Sequence, residues 1–329
     1  MVISLADAQV NTQDDVDFAV IDDLRRRSWL LDQIPFDDCV NPSGGGSTLT
    51  YGYTRLVTPA PAAFREFNRE YDPGQAVRKR YTVDLKPLGG SFNVDRALAR
   101  LGQAATNEEA FQFEQLSISV RTRFQDELIN GDTAVDTKGF DGLDKSLAGT
   151  ITEIGADTVA DWTSEALGDD RSASNDAIDL LDQLVHAING GADAILTNDK
   201  GAARVRSLGR RAGYYTRSED ALGREVERFG TAVIVDLGDN TAGTGTIIPT
   251  ETRTVGGESV TGLTDIYAVQ FGLRALHGVS VLGPLLQTFR PDYTAPGAVK
   301  KGEMEMGPVA GVLKSTRGAG VLRNVKVLG

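Results

Sequence analysis

Residues 106–132 read TNEEAFQFEQLSISVRTRFQDELINGD. Thr106 followed by Glu109 makes a capping-box pair: the hydroxyl can take one free N–H of a helix's first turn and the carboxylate another. Phe113, Leu116, Val120, Phe124 and Leu128 recur at three- and four-residue steps, which aligns them on one helical face. Asn130-Gly131 supplies the stop, because glycine enters the left-handed conformation that closes a helix without steric cost. The spacing predicts one helix over 106–129, a rod of roughly 36 Å at about 1.5 Å per residue. One apolar stripe on a long charged rod is the pattern of a helix lying against a sheet.

Upstream, residues 1–47 read as an arm. Thr12 can cap a short helix with Val16, Val20 and Leu24 on one side and a basic end, Arg25-Arg26-Arg27. Cations suit a helix C-terminus, so the Arg run is expected to be a solvated helix end, with a nucleic-acid contact as the alternative. Trp29, Leu30, Leu31, Ile34 and Phe36 need something to bury against, on the body of the chain or on a neighbour. Pro42 to Ser47 (PSGGGS) reads as a flexible hinge. Residues 48–94 then look like a long hairpin. Leu49, Tyr51 and Tyr53 alternate with polar residues on one limb, and Tyr81, Val83 and Leu85 do so on the other, with Asp72-Pro73-Gly74 as the turn. Its distal part, about Val57 to Lys79, has too few apolar residues for a core, and a two-stranded ribbon is marginal alone. It must lie on something else, a neighbouring subunit being the natural support and a surface loop the alternative.

Asp95 to Leu101 can form a short helix before the long one. Behind the long helix, residues 131–147 (GDTAVDTKGFDGLDKSL) carry Asp132, Asp136, Asp141 and Asp144. Their spacing does not match an EF-hand loop, so a turn is expected instead, with Gly131, Gly139 and Gly142 allowing tight backbone and Phe140 and Leu143 tucked inward. Residues 151–315 read as an α/β lobe. It has a helix from Asn175 (Ile178, Leu181, Val185, Ile188), a strand at Ala194–Thr197, a helix capped by Asp199, and strands at Ala232–Val235 and Ile266–Phe271. Asp239 to Gly262 reads as a hairpin or loop, and Met304 to Val327 as short strand-like runs.

The composition bounds the function. The chain has 329 residues, 40% hydrophobic, enough for two or three lobes. A net charge of −12 argues against a protein whose main task is to grip nucleic acid, since that affinity comes from Lys and Arg on phosphates. No run of 18 apolar residues suggests a membrane span, and MVISLADAQVNTQDD lacks a signal peptide's basic start and apolar run. Cys39 is the only cysteine, which excludes an internal disulfide and fits a reducing cytosol. His186 and His277 are the only histidines and are expected to be structural. No nucleophile elbow, P-loop, dinucleotide fingerprint or zinc-protease motif is present. No enzyme activity, cofactor or metal is expected, although a hydrolase built from unmarked carboxylates is a distant alternative.

The order of these parts resembles the major capsid proteins of tailed double-stranded DNA bacteriophages, an α+β fold of the Hong Kong 97 type. The residues that carry the resemblance are Glu127 to Asp132 (ELINGD) followed by Phe140-Asp141-Gly142-Leu143, then Ile195 to Asn198 (ILTN) before a helix, and Asp265 to Val281 with Tyr267 and Phe271. The resemblance covers nearly the whole chain. It implies an N-arm (1–47), an extended E-loop (48–94) and a peripheral domain (95–150) built on the spine helix 106–130 and completed by C-terminal strands. An axial domain (151–315) and a C-terminal strand segment (316–329) follow. It also implies hexamers and pentamers of this chain closing an icosahedral shell around the phage genome, a virion component assembled in the host cytoplasm. Scaffold, portal and decoration proteins are the implied partners, with any scaffold expected as a separate protein. Inter-subunit contacts fall on Trp29, Phe36, Phe64, Arg65, Phe67, Arg69, Tyr71, Arg78 and Lys79. An encapsulin, a bacterial shell of the same fold, is the nearest alternative.

Overall fold

The computed structural model describes Arg26 and residues 29–41, 44–99, 103–169, 171–219 and 225–328. The chain forms a short helix α1 (Trp29–Gln33) and strand β1 (Phe36–Asp38), two ribbon strands β2 (Thr50–Thr58) and β3 (Val77–Asp84), and strand β4 (Lys86–Asp95). The Asp95 carboxylate takes the Ala97 N–H at 2.7 Å and starts the single turn α2 (Arg96–Ala99). The 28-residue helix α3 (Gln103–Asn130) follows, then α4 (Leu143–Leu147), β5 (Glu153–Ile154), β6 (Ala160–Asp161), α5 (Ser164–Asp169) and α6 (Arg171–Ala187). An alternating stretch comprises β7 (Ala194–Thr197), α7 (Asp199–Ala212), β8 (Tyr215–Glu219), β9 (Glu225–Phe229) and β10 (Ala232–Asp236). The chain ends through β11 (Glu251–Val255), β12 (Glu258–Val269), β13 (Leu276–Ser280), β14 (Leu286–Phe289), β15 (Val299–Leu313) and β16 (Ala319–Lys326).

Among the described residues these strands make an α+β fold of two sheets and a ribbon. A five-stranded sheet runs β1-β13-β15-β14, with β4 on the other side of β15. A nine-stranded sheet runs β5-β16-β12-β7-β10-β9-β8, with β11 on β12 and β6 on β16. The ribbon is β2 with β3. No described helix is long and apolar enough to cross a membrane.

Helix α3 lies along β4 and β15. Val120, Phe124 and Leu128 of its stripe are buried, and Phe124 sits between Phe36 and Phe140, each ring 5.8 Å away. Phe113 and Leu116 are half-buried, Phe113 edge-on to Phe92 of β4 at 4.8 Å. This core continues onto one face of the nine-stranded sheet through Ala194, Leu196, Tyr267, Val269 and Val321. A second core forms on that sheet's other strand positions, where Ile195, Ile266, Ala268 and Leu322 meet α6 and α7 through Leu181, Leu184, Val205 and Leu208. The alternation of neighbouring residues between the two cores follows from the two-residue period of a strand.

Several expectations change. The backbone is helical from Gln103, so Thr106 is not a cap, and Glu109 instead accepts from the Tyr293 hydroxyl at 3.1 Å. Gly131 is not left-handed; it is glycine because a Cβ there would lie 2.2 Å from the Phe140 carbonyl. Helix α6 starts at Arg171, four residues earlier than Asn175, because buried Ser174, bound by Arg211 at 3.1 Å, extends the inward stripe by a turn. The cap of α7 is Asn198, whose side chain accepts the Gly201 N–H, not Asp199. The runs expected between Met304 and Val327 are two long strands. β15 pairs with β4 from Val299 opposite Asp95 to Val309 opposite Lys86, so residues 276–313 belong to the five-stranded sheet with the spine helix. The last strand, β16, joins the nine-stranded sheet instead. The turn at 72–74 gives way to one at Glu66–Arg69, where Asn68 takes φ 64, a left-handed conformation that asparagine tolerates. The hinge at 42–47 is a closed loop in its described part: Asn41 N–H reaches the Gly46 carbonyl at 3.0 Å and Val40 bridges to Ser47. Arg26, expected in a solvated basic run, bridges to Gly238 and reaches Gln115 of α3 at 2.6 Å. The expected helix from Thr12, with Arg25 and Arg27, lies outside the described residues.

Candidate assembly interface

The glycine turn behind the spine helix faces the base of the ribbon across an open groove. The Glu127 side chain, buried in the last turn of α3, accepts the Phe140 amide at 3.3 Å and pairs with Arg123 at 2.9 Å. The Gly142 amide donates to the Gly131 carbonyl at 2.8 Å, which closes the loop and drives Phe140 and Leu143 into the core. Burial raises the Glu127 carboxyl above its ordinary value, against the pull of Arg123. On the loop's outer side, Lys145 sits between Asp132 (2.5 Å) and Asp141 (2.8 Å), so a cation of the chain itself fills the acidic cluster. Among the described residues, no group of His, Cys, Asp and Glu is placed to hold a metal ion.

Beside this turn the ribbon is gripped at its base. Tyr53 of β2 stacks on Tyr81 of β3, ring centres 5.6 Å apart, and the Arg55 guanidinium lies 4.8 Å from the Tyr81 ring. Arg55 donates to the carbonyls of Leu313 and Lys314, both at 2.9 Å, at the end of β15. The planar fork of arginine suits two such acceptors. Tyr51 donates to Asp37 of β1 at 2.6 Å; burial, then Asp37, pushes its phenol well above the usual range. An open groove of about 510 Å³ runs between this base and the glycine turn, lined by Tyr53, Arg55, Lys86, Phe140 and Gly311.

Beyond Leu56 the grip ends. Every residue from 57 to 80 is exposed. Phe64 and Phe67 are bare, and Tyr71, Leu56, Val57 and Val77 are each more than half exposed. The limbs close on each other where Pro61 occupies the space a side chain at Gly74 would need. Arg65 lies 5.3 Å from the Tyr71 ring and Arg69 pairs with Glu66 at 3.3 Å, an exposed pair worth little by itself. Five cations stand against three carboxylates between Phe64 and Arg80, so this segment is basic on an acidic chain.

The residues expected at an inter-subunit contact therefore divide. Phe64, Arg65, Phe67, Arg69, Tyr71, Arg78 and Lys79 lie together on the bare half of the ribbon. Trp29 and Phe36 are packed within the chain, Trp29 against Phe271 at 6.0 Å and Phe36 against Phe124 and the strand position Gly278, where a Cβ would meet its ring. The base residues Tyr51, Tyr53 and Arg55 are not among the contacts expected from sequence, where Tyr51 and Tyr53 mark only the hairpin's alternation; the signal available is an Arg on the same face as those two tyrosines. The charge cluster around Arg323, which reaches Glu153 at 2.9 Å, buried Asp265 at 3.1 Å and also half-exposed Asp144, carries no local motif and joins four separate elements.

This architecture recurs in solved shells. The SrpI encapsulin of Synechococcus elongatus matches with a TM-score of 0.62 at 13% identity, over 100% of this chain and 98% of that one. The capsid of a native GTA particle matches with a TM-score of 0.59 at 14% identity, over 97% of each chain. The chain has the Hong Kong 97-type capsid fold. Mycobacterium phage Bobi matches at TM-score 0.56 and 13% identity, over 98% of this chain and 99% of that one. No family model and no curated protein matches the sequence. In Hong Kong 97-type terms the ribbon is the E-loop, α3 the spine helix, and α1 with β1 the described part of the N-arm.

Proposed function

We propose that this chain is the subunit of a closed protein shell, a phage-type major capsid protein that assembles with copies of itself into hexamers and pentamers of an icosahedral particle around double-stranded DNA. The observation that carries this is the E-loop. Its distal half presents Phe64, Phe67 and Tyr71 to solvent on a ribbon without a core of its own, held, among the described residues, to the body at its base. Exposed aromatic surface of this kind marks an interaction site. A basic loop on an acidic chain favours a second copy as its support.

The role is structural, with no catalytic step and no cofactor. The genome is enclosed without sequence-specific contacts, assembly takes place in the host cytoplasm, and scaffold, portal and decoration proteins are the partners this reading implies. The likeness to the SrpI encapsulin supports a second reading, a nanocompartment shell. The contents distinguish the two: particles from the native source should hold nuclease-protected DNA in the first case and a cargo protein in the second. Deleting Val57–Lys79 tests the E-loop role. The expected result is a soluble, folded protein that forms no closed particles; normal shells from the deleted chain would overturn it.

A further inference from the structure

The only buried histidine sits under the E-loop base. His277 of β13 is fully buried. Its ring stands edge-on to Tyr51 of β2 at 5.9 Å. Nδ1 has a 3.4 Å contact to the Ala275 carbonyl, and Nε2 is buried without a hydrogen-bond partner. The charged groups around it come from three elements. Asp37 of β1 is already engaged, accepting from Tyr51 at 2.6 Å and lying 3.8 Å from the Lys314 ammonium. Lys314, just past β15, lies 5.1 Å from the Tyr51 ring, and Arg55 of β2 binds the Leu313 and Lys314 carbonyls. Cys39, after β1, is a buried neutral thiol.

We propose that His277 is a proton-sensitive latch: neutral, it packs under Tyr51 and holds the E-loop base and the N-arm strand together, and protonated, it releases them. An imidazolium here would be a buried cation beside the partly exposed Lys314 ammonium, its donor Nε2 would face no acceptor, and the nearest carboxylate is already occupied. Burial first, then Lys314, hold the His277 ring below its ordinary value. The proton is therefore taken up only when the base opens. That gives the sign. The latch is fully closed above the free-histidine pKa of about 6.5 and weakens as pH falls below it, until the folded value is passed. This inference goes beyond the shell reading, because it concerns the subunit alone and holds whatever the shell encloses.

Two measurements test it on the full-length chain. His277 and His186 are the only histidines, so imidazole resonances can be assigned with a His186→Gln variant. The His277 ring should titrate clearly below the free-histidine value of about 6.5; a midpoint at or above that value would overturn the latch. Hydrogen exchange at 50–58 and 77–84, corrected for the intrinsic rate, should report an opening constant that rises as pH falls from 6.5 to the folded value, by at most about tenfold per pH unit, and then levels off. In a His277→Leu variant that slope should vanish. An unchanged slope in the variant, or none in the native protein, contradicts the proposal. The titration of the native protein decides the matter if the variant does not fold.

Discussion

Glu127 fills the space that a side chain at Gly139 would need: a Cβ at Gly139 would stand 1.8 Å from the Glu127 carboxylate oxygen. Twelve residues apart, the two positions dictate each other. The atom in the way is the tip of a side chain held by Arg123 and the Phe140 amide, so it can yield at some cost. At Gly131 the obstacles are the backbone carbonyls of Phe140 and Glu127, at 2.2 and 2.4 Å, which cannot. Gly139→Ala should therefore destabilise the subunit by about 1–3 kcal/mol, and Gly131→Ala by more. Urea unfolding of both variants checks the order; equal, small effects would mean the turn does not pack as described.

Glu127 also predicts a pH effect of unusual sign for a carboxylate. Its folded pKa lies above the ordinary 4.5 because it is buried. The ionised form therefore opposes folding: the group's contribution is fully present below 4.5 and is lost as pH rises through the folded value. Glu127→Gln keeps an acceptor for the Phe140 amide and gives up the bridge to the half-exposed Arg123. The native protein should lose stability relative to this variant as pH rises from 4.5 to 7. Parallel urea titrations at the two pH values give the difference.

Arg55 is expected to hold the E-loop base through shape as well as charge. Lysine at this position keeps the charge but cannot span the Leu313 and Lys314 carbonyls while stacking on Tyr81. Arg55→Lys should weaken the base by about 1–2 kcal/mol, read as faster exchange at 50–58 and 77–84 with the global unfolding midpoint nearly unchanged.

The spine helix, the glycine turn and the alternating limbs of the ribbon were legible because each is local: a 3.6-residue stripe, a glycine where backbones touch, a two-residue alternation. What was not legible depends on partners far along the chain. β15 reads as fragments because its inward positions include Gly302 and Lys300, a lysine buried only because its ammonium meets the carbonyls of Ala295 and Pro296. Gln125 looks like a polar break in the helix stripe. It is buried because its amide accepts from Leu30 and donates to the Leu237 carbonyl at 3.0 Å, tying arm to sheet. Trp29 and Phe36 needed cover, as their composition demanded, but only the fold supplies Phe271 and Gly278 as that cover. The bare half of the E-loop was visible by what it lacked, enough apolar residues to form a core.

The shell reading is tested most directly by negative-stain electron microscopy of the purified full-length chain across a range of concentrations. The account predicts capsomers that convert to closed, megadalton particles of uniform diameter. A chain that remains a monomer or small oligomer under every condition, alone and in the presence of its native co-expressed proteins, would contradict it.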